Sequence, residues 1–272
     1  VTAIDTKVGG AQHDVTKAHV RLSVEARVRG GEFDAVFFGT PCESVSVAHR
    51  PQLRSRKQPA GLRDVPKAWR LYLAKHNAFI AWTAHLIDVC DAAGVAWAVE
   101  NPADRGDDAS PAWWPAKRDH APLWIQPSIA AVLRRVGAHL VTFPQCAFGT
   151  PWQKYTTVAC SGAMASAAER LLGRRCTHTE HAAVAHGRNA AGESLAALAA
   201  AYPLELSEAL ASLLHAGVTT LASAARFERL MLSGAPPSGE AGGRVAHGAS
   251  LGRDVRARCE AARRAPPRFA SL

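Results

Sequence analysis

The sequence contains no apolar stretch long enough to span a bilayer. It also lacks the succession of basic, apolar and small-residue regions that opens a secreted precursor. Its cysteines (Cys42, Cys90, Cys146, Cys160, Cys176 and Cys259) include no C-x-x-C pair and no dense framework. That pattern points away from a disulfide-stapled scaffold and towards an intracellular chain, nuclear or cytoplasmic, with reduced thiols. No internal repeat is evident. Val1 is not a methionine and the first residues already read as a strand, so the natural N-terminus is expected upstream.

What is present is a chain of 272 residues, 48% hydrophobic, long enough for one large or two small domains with a real core. Acidic residues are in deficit: 32 Lys and Arg face 23 Asp and Glu, a formal charge of +9. Such a balance favours a polyanionic partner, DNA or RNA, met through a basic surface. The plain alternative is an arginine-rich, alanine-rich composition without that meaning.

Apolar patterning organises the chain. Val1–Asp5 reads as a short strand ending in an acid, and His13–Thr16 as another extended piece with Asp14 at its tip. Val20, Val24 and Val28 at fourfold spacing predict a helix over 17–29, ending at Gly30-Gly31. Phe33–Phe38 is the next strand. A basic, proline-punctuated stretch leads to a long helix over 67–93 that buries Leu71, Ile80, Leu86 and Val89 and stops at Gly94. Val95–Val99 is a strand ending in Glu100-Asn101-Pro102. A helix over 125–136 and strands over 138–143 and 155–159 follow. This alternation predicts an α/β fold with a parallel, doubly wound sheet over 1–161. Residues 162–232 predict a helical extension packed on it, and 233–272 a disordered basic tail.

In an open α/β sheet, ligands bind beyond the carboxyl ends of the strands. Asp5, Asp14, Cys42 and Glu100 fall there. Asp5 suits a ribose hydroxyl pair or, equally, a turn cap. Asp14 suits an adenine amine or a helix N-cap. Cys42 closes a strand that runs FDAVFFGTPCESVS, and a thiol there becomes a nucleophile as a thiolate, with Arg50 and the following basic stretch as the source of positive potential. Glu100 follows a buried strand, where desolvation would raise its pKa and let it hold a proton for a substrate nitrogen. Trp113, Trp114 and Trp124 either plug their loop onto the core, the favoured reading, or stack bases.

The segment Gly39-Thr40-Pro41-Cys42-Glu43-Ser44-Val45-Ser46 resembles the Pro-Cys nucleophile loop of DNA cytosine-5 methyltransferases, and Glu100-Asn101 resembles their Glu-Asn motif. The order fits, with Asp5 and Asp14 in the places of the cofactor-binding acids on the second and third strands. The resemblance covers about Val1 to Ser161. It implies a Rossmann-like sheet lacking its first strand, with S-adenosyl-L-methionine as methyl donor. It also implies that Cys42 attacks C6 of a flipped-out cytosine, that Glu100 contacts N3 and the exocyclic amine, that Asn101 positions the loop, and that Ser46 touches backbone or substrate. Gly39 and Pro41 shape that loop and, with Asp5 and Asp14, border the cofactor.

The chain departs from the family pattern at Thr40, Glu43 and Pro102, and lacks both the glycine-rich first motif and the Gln-x-Arg-x-Arg motif. Gln145-Cys146-Ala147-Phe148-Gly149, Lys154-Tyr155-Thr156-Thr157, Cys176-x-His178-x-x-His181 and Ala201-Tyr202-Pro203 instead resemble methyltransferase-like domains of viral and mobile-element polyproteins. Two rivals remain: a non-catalytic nucleic-acid-binding module with the same fold, and an unrelated thiol enzyme using His49 as base. Cys176, His178 and His181, with Cys146 or Cys160, have the ligand chemistry of zinc. Their spacing is not a standard one, however, so the expectation is a histidine-rich surface turn without metal.

Overall fold

The structure is a computed structural model describing residues 2–181, 185, 187–232 and 269–271. Six strands form one sheet in the order β1-β6-β2-β3-β5-β4. They are β1 (Thr2–Ala3), β2 (Ala35–Phe38), β3 (Ala96–Pro102), β4 (His139–Pro144), β5 (Tyr155–Cys160) and β6 (Phe269–Ser271). Around them lie α1 (Thr6–Gly9), α2 (Ala18–Arg29), α3 (Lys67–Ala92), α4 (Pro127–Arg135), α5 (Ala165–Leu172), α6 (Leu195–Leu198) and α7 (Leu204–Leu232).

Side-chain alternation along β2 and β3 explains the layering, because successive residues of a strand face opposite sides of the sheet. Val36, Phe38, Trp97 and Val99 face one core with Val20, Val24 and Val28 of α2, Ile80, Leu86 and Val89 of α3, and Ile129 of α4. Ala35, Ala96 and Ala98 face the other, against α5 and Leu206, Leu210 and Leu213 of α7. Alanines on that face let α7 approach closely. At Gly217 an added Cβ would lie 2.6 Å from Met164 and 3.0 Å from the Ala96 Cβ.

Several expectations need correction. The sheet is mixed, since β5 runs antiparallel to both β3 and β4. The short connection after β4 can only fold back as a hairpin, because a parallel return needs a crossover of a dozen or more residues. The sheet predicted to lack a strand carries β6, from the far end of the chain, parallel to β1 and β2 on either side. Of the predicted disordered tail, 233–268 and 272 lie outside the described residues, while Phe269–Ser271 are strand. The extended piece at 13–16 is a turn following a single 3-10 turn at Gly10–His13. Leu71 is 65% exposed, and Leu73 takes the buried position instead. The long helix does end at Gly94, whose φ of 65° is the left-handed conformation that stops a helix.

Candidate active site

Strands β2 and β3 are parallel neighbours, in register from Ala35 opposite Ala96 to Phe38 opposite Val99. β2 stops at Phe38, whereas β3 runs on to Pro102 beside β5, so the Gly39–Cys42 loop leaves the sheet next to Glu100 and Asn101, the β3 residues just past the last β2 pair. Asn101 is fully buried and its Nδ2 donates to the Thr40 carbonyl at 2.8 Å, tying the two strand ends together. The Thr40 hydroxyl meets that of Thr83 on α3 at 3.1 Å. The Cys42 backbone carbonyl accepts from Val45 at 3.0 Å as the loop closes into the single turn Glu43–Val45.

Burial pushes the Cys42 thiol up, and the nearby Glu100 charge pushes it further, while Lys154 acts in the opposite sense. The cation expected from Arg50 is not there, because its guanidinium is turned onto the carbonyls of Val47 and His49. The nearby positive charge comes instead from Lys154, whose Nζ donates to the Ala199 carbonyl at 2.9 Å.

Glu100 is 8% exposed, and burial raises its carboxyl above the usual range against the opposing effects of Lys154, Tyr202 and Thr156. The Tyr202 hydroxyl donates to Oε2 at 2.7 Å, and Oε1 is buried with no hydrogen-bond partner. Tyr202 is itself pushed up by burial and by Glu100, so it stays a proton donor. A raised carboxyl with one oxygen committed and the other unpaired is poised to exchange a proton with a ligand atom.

Asp5, Asp14, Gly39 and Pro41 line one cleft, together with Trp82 and His13. Asp5 accepts from the Lys7 amide at 2.7 Å and caps α1. Asp14 accepts from the Thr16 amide and hydroxyl at 2.9 and 2.6 Å, bonds that hold its carboxyl below the usual range. Both acids are thus turn formers that also border a cleft. Trp82 Nε1 and His13 Nδ1 are buried there without partners. Ser46 accepts from the Ala48 amide at 3.2 Å at the far side of the loop.

Among the described residues His49 makes no hydrogen bond to Cys42. Its Nδ1 is engaged with the Pro51 carbonyl at 2.7 Å, and its ring leans on Trp69 and Tyr72. Trp124 plugs the core, donating to the Pro102 carbonyl at 2.9 Å, whereas Trp113 and Trp114 are 45% and 41% exposed. Trp114 is flanked by the cations of Arg105 and Lys117 at 5.3 and 5.5 Å.

Sequence reasoning missed two supports of the Cys42 loop. Arg54, 3% exposed, donates from Nε to the Ser44 carbonyl at 3.1 Å, from Nη2 to the Ser44 hydroxyl at 3.0 Å and from Nη1 to the Pro59 carbonyl at 2.7 Å. Burial lowers its pKa to about 10. His120 is also buried and pushed down by that burial; its Nε2 donates to the Val45 carbonyl at 2.8 Å while Nδ1 accepts from the Arg105 amide at 3.1 Å. Nothing in the basic run distinguishes Arg54 from its exposed neighbours.

Cys176, His178 and His181 converge on Cys146. Cys160 lies apart from them, buried in β5. Among the described residues no helix is long and apolar enough to cross a membrane. Comparisons with family models, with curated proteins and with solved structures returned no match.

Proposed function

We propose that this is a Rossmann-like cytosine-5 DNA methyltransferase-like domain, with Cys42 as nucleophile and S-adenosyl-L-methionine as methyl donor. The observation that carries the reading is the pairing of Cys42 with a raised, half-satisfied Glu100 at neighbouring strand ends. The Cys42 sulfur would bond to C6 of an unstacked cytosine, while Glu100 gives its proton to N3 and so draws electron density towards C5. A protonated Glu100 also removes the charge that would otherwise oppose the Cys42 thiolate. Lys154 favours that thiolate further, and Asn101 keeps the loop carbonyl, and hence the sulfur, in place. Once C5 had taken the methyl group, leaving the donor's sulfur as a thioether, loss of the C5 proton to solvent and cleavage of the sulfur–C6 bond would restore the ring and the thiolate, with the N3 proton returning to Glu100.

A cleft beside the loop supports placing the donor there. Its two carboxylates, beside the Trp82 ring, suit a ligand rich in hydroxyl and amine groups. Asp5, Asp14, Gly39 and Pro41 would hold it. When bound it supplies an electrophilic methyl group.

A second reading, a non-catalytic nucleic-acid module of a mobile-element polyprotein, is favoured by the thiol being pushed up rather than down. The two part on one experiment: transfer of labelled methyl from S-adenosyl-L-methionine to cytosine C5, alongside DNA retention on filters. The enzyme reading expects transfer by the full chain and none by Cys42→Ser. DNA retention without transfer selects the binding module.

A further inference from the structure

Cys146 lies in the 3-10 turn Gln145–Phe148 that follows β4, whereas Cys176, His178 and His181 lie beyond α5. The ligating atoms of all four are within 4.8 Å of one another. Cys176 Sγ is 3.2 Å from His181 Nε2 and 3.6 Å from His178 Nδ1. His181 Nε2 is in turn 3.4 Å from Cys146 Sγ. A tetrahedral zinc ion with Zn–S near 2.3 Å and Zn–N near 2.0–2.1 Å sets its ligand atoms roughly 3.3–3.8 Å apart; these three edges fall in or just below that range, and the remaining separations, up to 4.8 Å, would close by about 1 Å on binding.

Hydrogen bonding alone does not account for the arrangement. His181 Nε2 has either one hydrogen or one lone pair, yet it faces two thiols at once. A cation in the centre satisfies both sulfurs and both imidazoles together. The segments are also brought together by other contacts. Arg174 donates to the Ala147 carbonyl at 3.1 Å, pairs with Glu205 at 2.5 Å and covers the Phe148 ring at 4.4 Å.

We propose that Cys146, Cys176, His178 and His181 bind a structural zinc ion. Four protein ligands complete the tetrahedron and leave no open position for chemistry. The ion staples the turn after β4 to the stretch that leads to α6 and Tyr202. The Gln145 amide beside it donates to the Lys154 carbonyl at 2.8 Å, and the Lys154 side chain reaches on to Ala199. The metal thereby holds the segment whose Tyr202 reaches Glu100.

The test is metal content of the purified full chain by mass spectrometry, with cobalt substitution of chelator-stripped protein as a second readout. About one zinc per chain is expected, together with the intense visible absorption and sulfur-to-cobalt charge-transfer band of a tetrahedral thiolate site. Cys176→Ser and His181→Ala should each lower retained zinc at least tenfold, while His215→Ala, on exposed helix surface, should not. The proposal is overturned if wild-type protein holds no zinc and its cobalt form is octahedral and pale. It is equally overturned if Cys176→Ser and His181→Ala retain zinc like wild type, or if His215→Ala loses it to the same extent.

Discussion

Replacing Tyr202 by Phe isolates the contact that prepares Glu100. The ring stays in place against Phe37, whose centroid lies 6.3 Å away, but Glu100 Oε2 loses its hydroxyl donor at 2.7 Å. A hydrogen bond to an ionised group contributes about 1.5–3 kcal/mol and one to a neutral group about 0.5–1.5 kcal/mol. The cost of Tyr202→Phe should therefore grow with pH, from about 1 kcal/mol where Glu100 is protonated to about 2 kcal/mol where it is ionised. The sign for Glu100 itself follows from its raised pKa. The folded state binds the proton more tightly than the unfolded chain, so stability falls as pH rises from the ordinary carboxylate range through the raised folded value. Tyr202→Phe should steepen that fall and extend it upward. In a Glu100→Gln background the cost should stay near 1 kcal/mol at every pH, because no charge can form. Urea unfolding followed by circular dichroism between about pH 5 and about pH 9 measures both. A cost of Tyr202→Phe that is flat with pH in the otherwise wild-type protein, or that varies just as much with pH in the Glu100→Gln background, would refute the coupling.

Asn101→Ala should cost about 1–3 kcal/mol by leaving the buried Thr40 carbonyl unpaired, with a parallel loss of activity at Cys42; denaturant titration and adduct rates check it. Gly217→Val should cost about 1–3 kcal/mol by driving α7 off β3 at the contact with Met164 and Ala96, and an unchanged melting curve would contradict that close packing. The tryptophans should separate: Trp124→Ala costs about 3–5 kcal/mol of stability. Trp114→Ala should leave stability within about 0.5 kcal/mol but weaken single-stranded DNA binding by about 1–3 kcal/mol in anisotropy titrations.

Much of the site was readable in the sequence because it depends on strand ends. The apolar run that stops at Gly39 fixes where β2 finishes, and parallel pairing with β3 then brings Cys42 and Glu100 to one end of the sheet, although β3 itself continues through Glu100 to Pro102. The valines of α2 were legible for the same reason, since a short helix keeps its phase. Over the longer α3 the phase drifts, and Leu71 fell on the wrong side. The direction of β5 was not legible, because an apolar run such as Tyr155–Cys160 reads the same for either orientation. Strand β6 was hidden by its length and its Pro- and Arg-rich surroundings. Tyr202 and Lys154 were visible as members of a pattern, but their approach to Glu100 depends on how α7 and the segment before it fold back across the sheet. The Cys146 contact with Cys176 and His181 likewise joins two segments whose spacing carries no recognisable metal signature.

The most direct test of Cys42 as nucleophile is peptide mass spectrometry after incubating the full chain with 5-fluorocytosine DNA and S-adenosyl-L-methionine. Fluorine at C5 cannot leave as a proton does, so the sulfur–C6 bond persists. A stable DNA adduct on Cys42 is expected, absent from Cys42→Ser and strongly reduced in Glu100→Gln. No adduct, an adduct on another cysteine, or equal trapping by Cys42→Ser would contradict it.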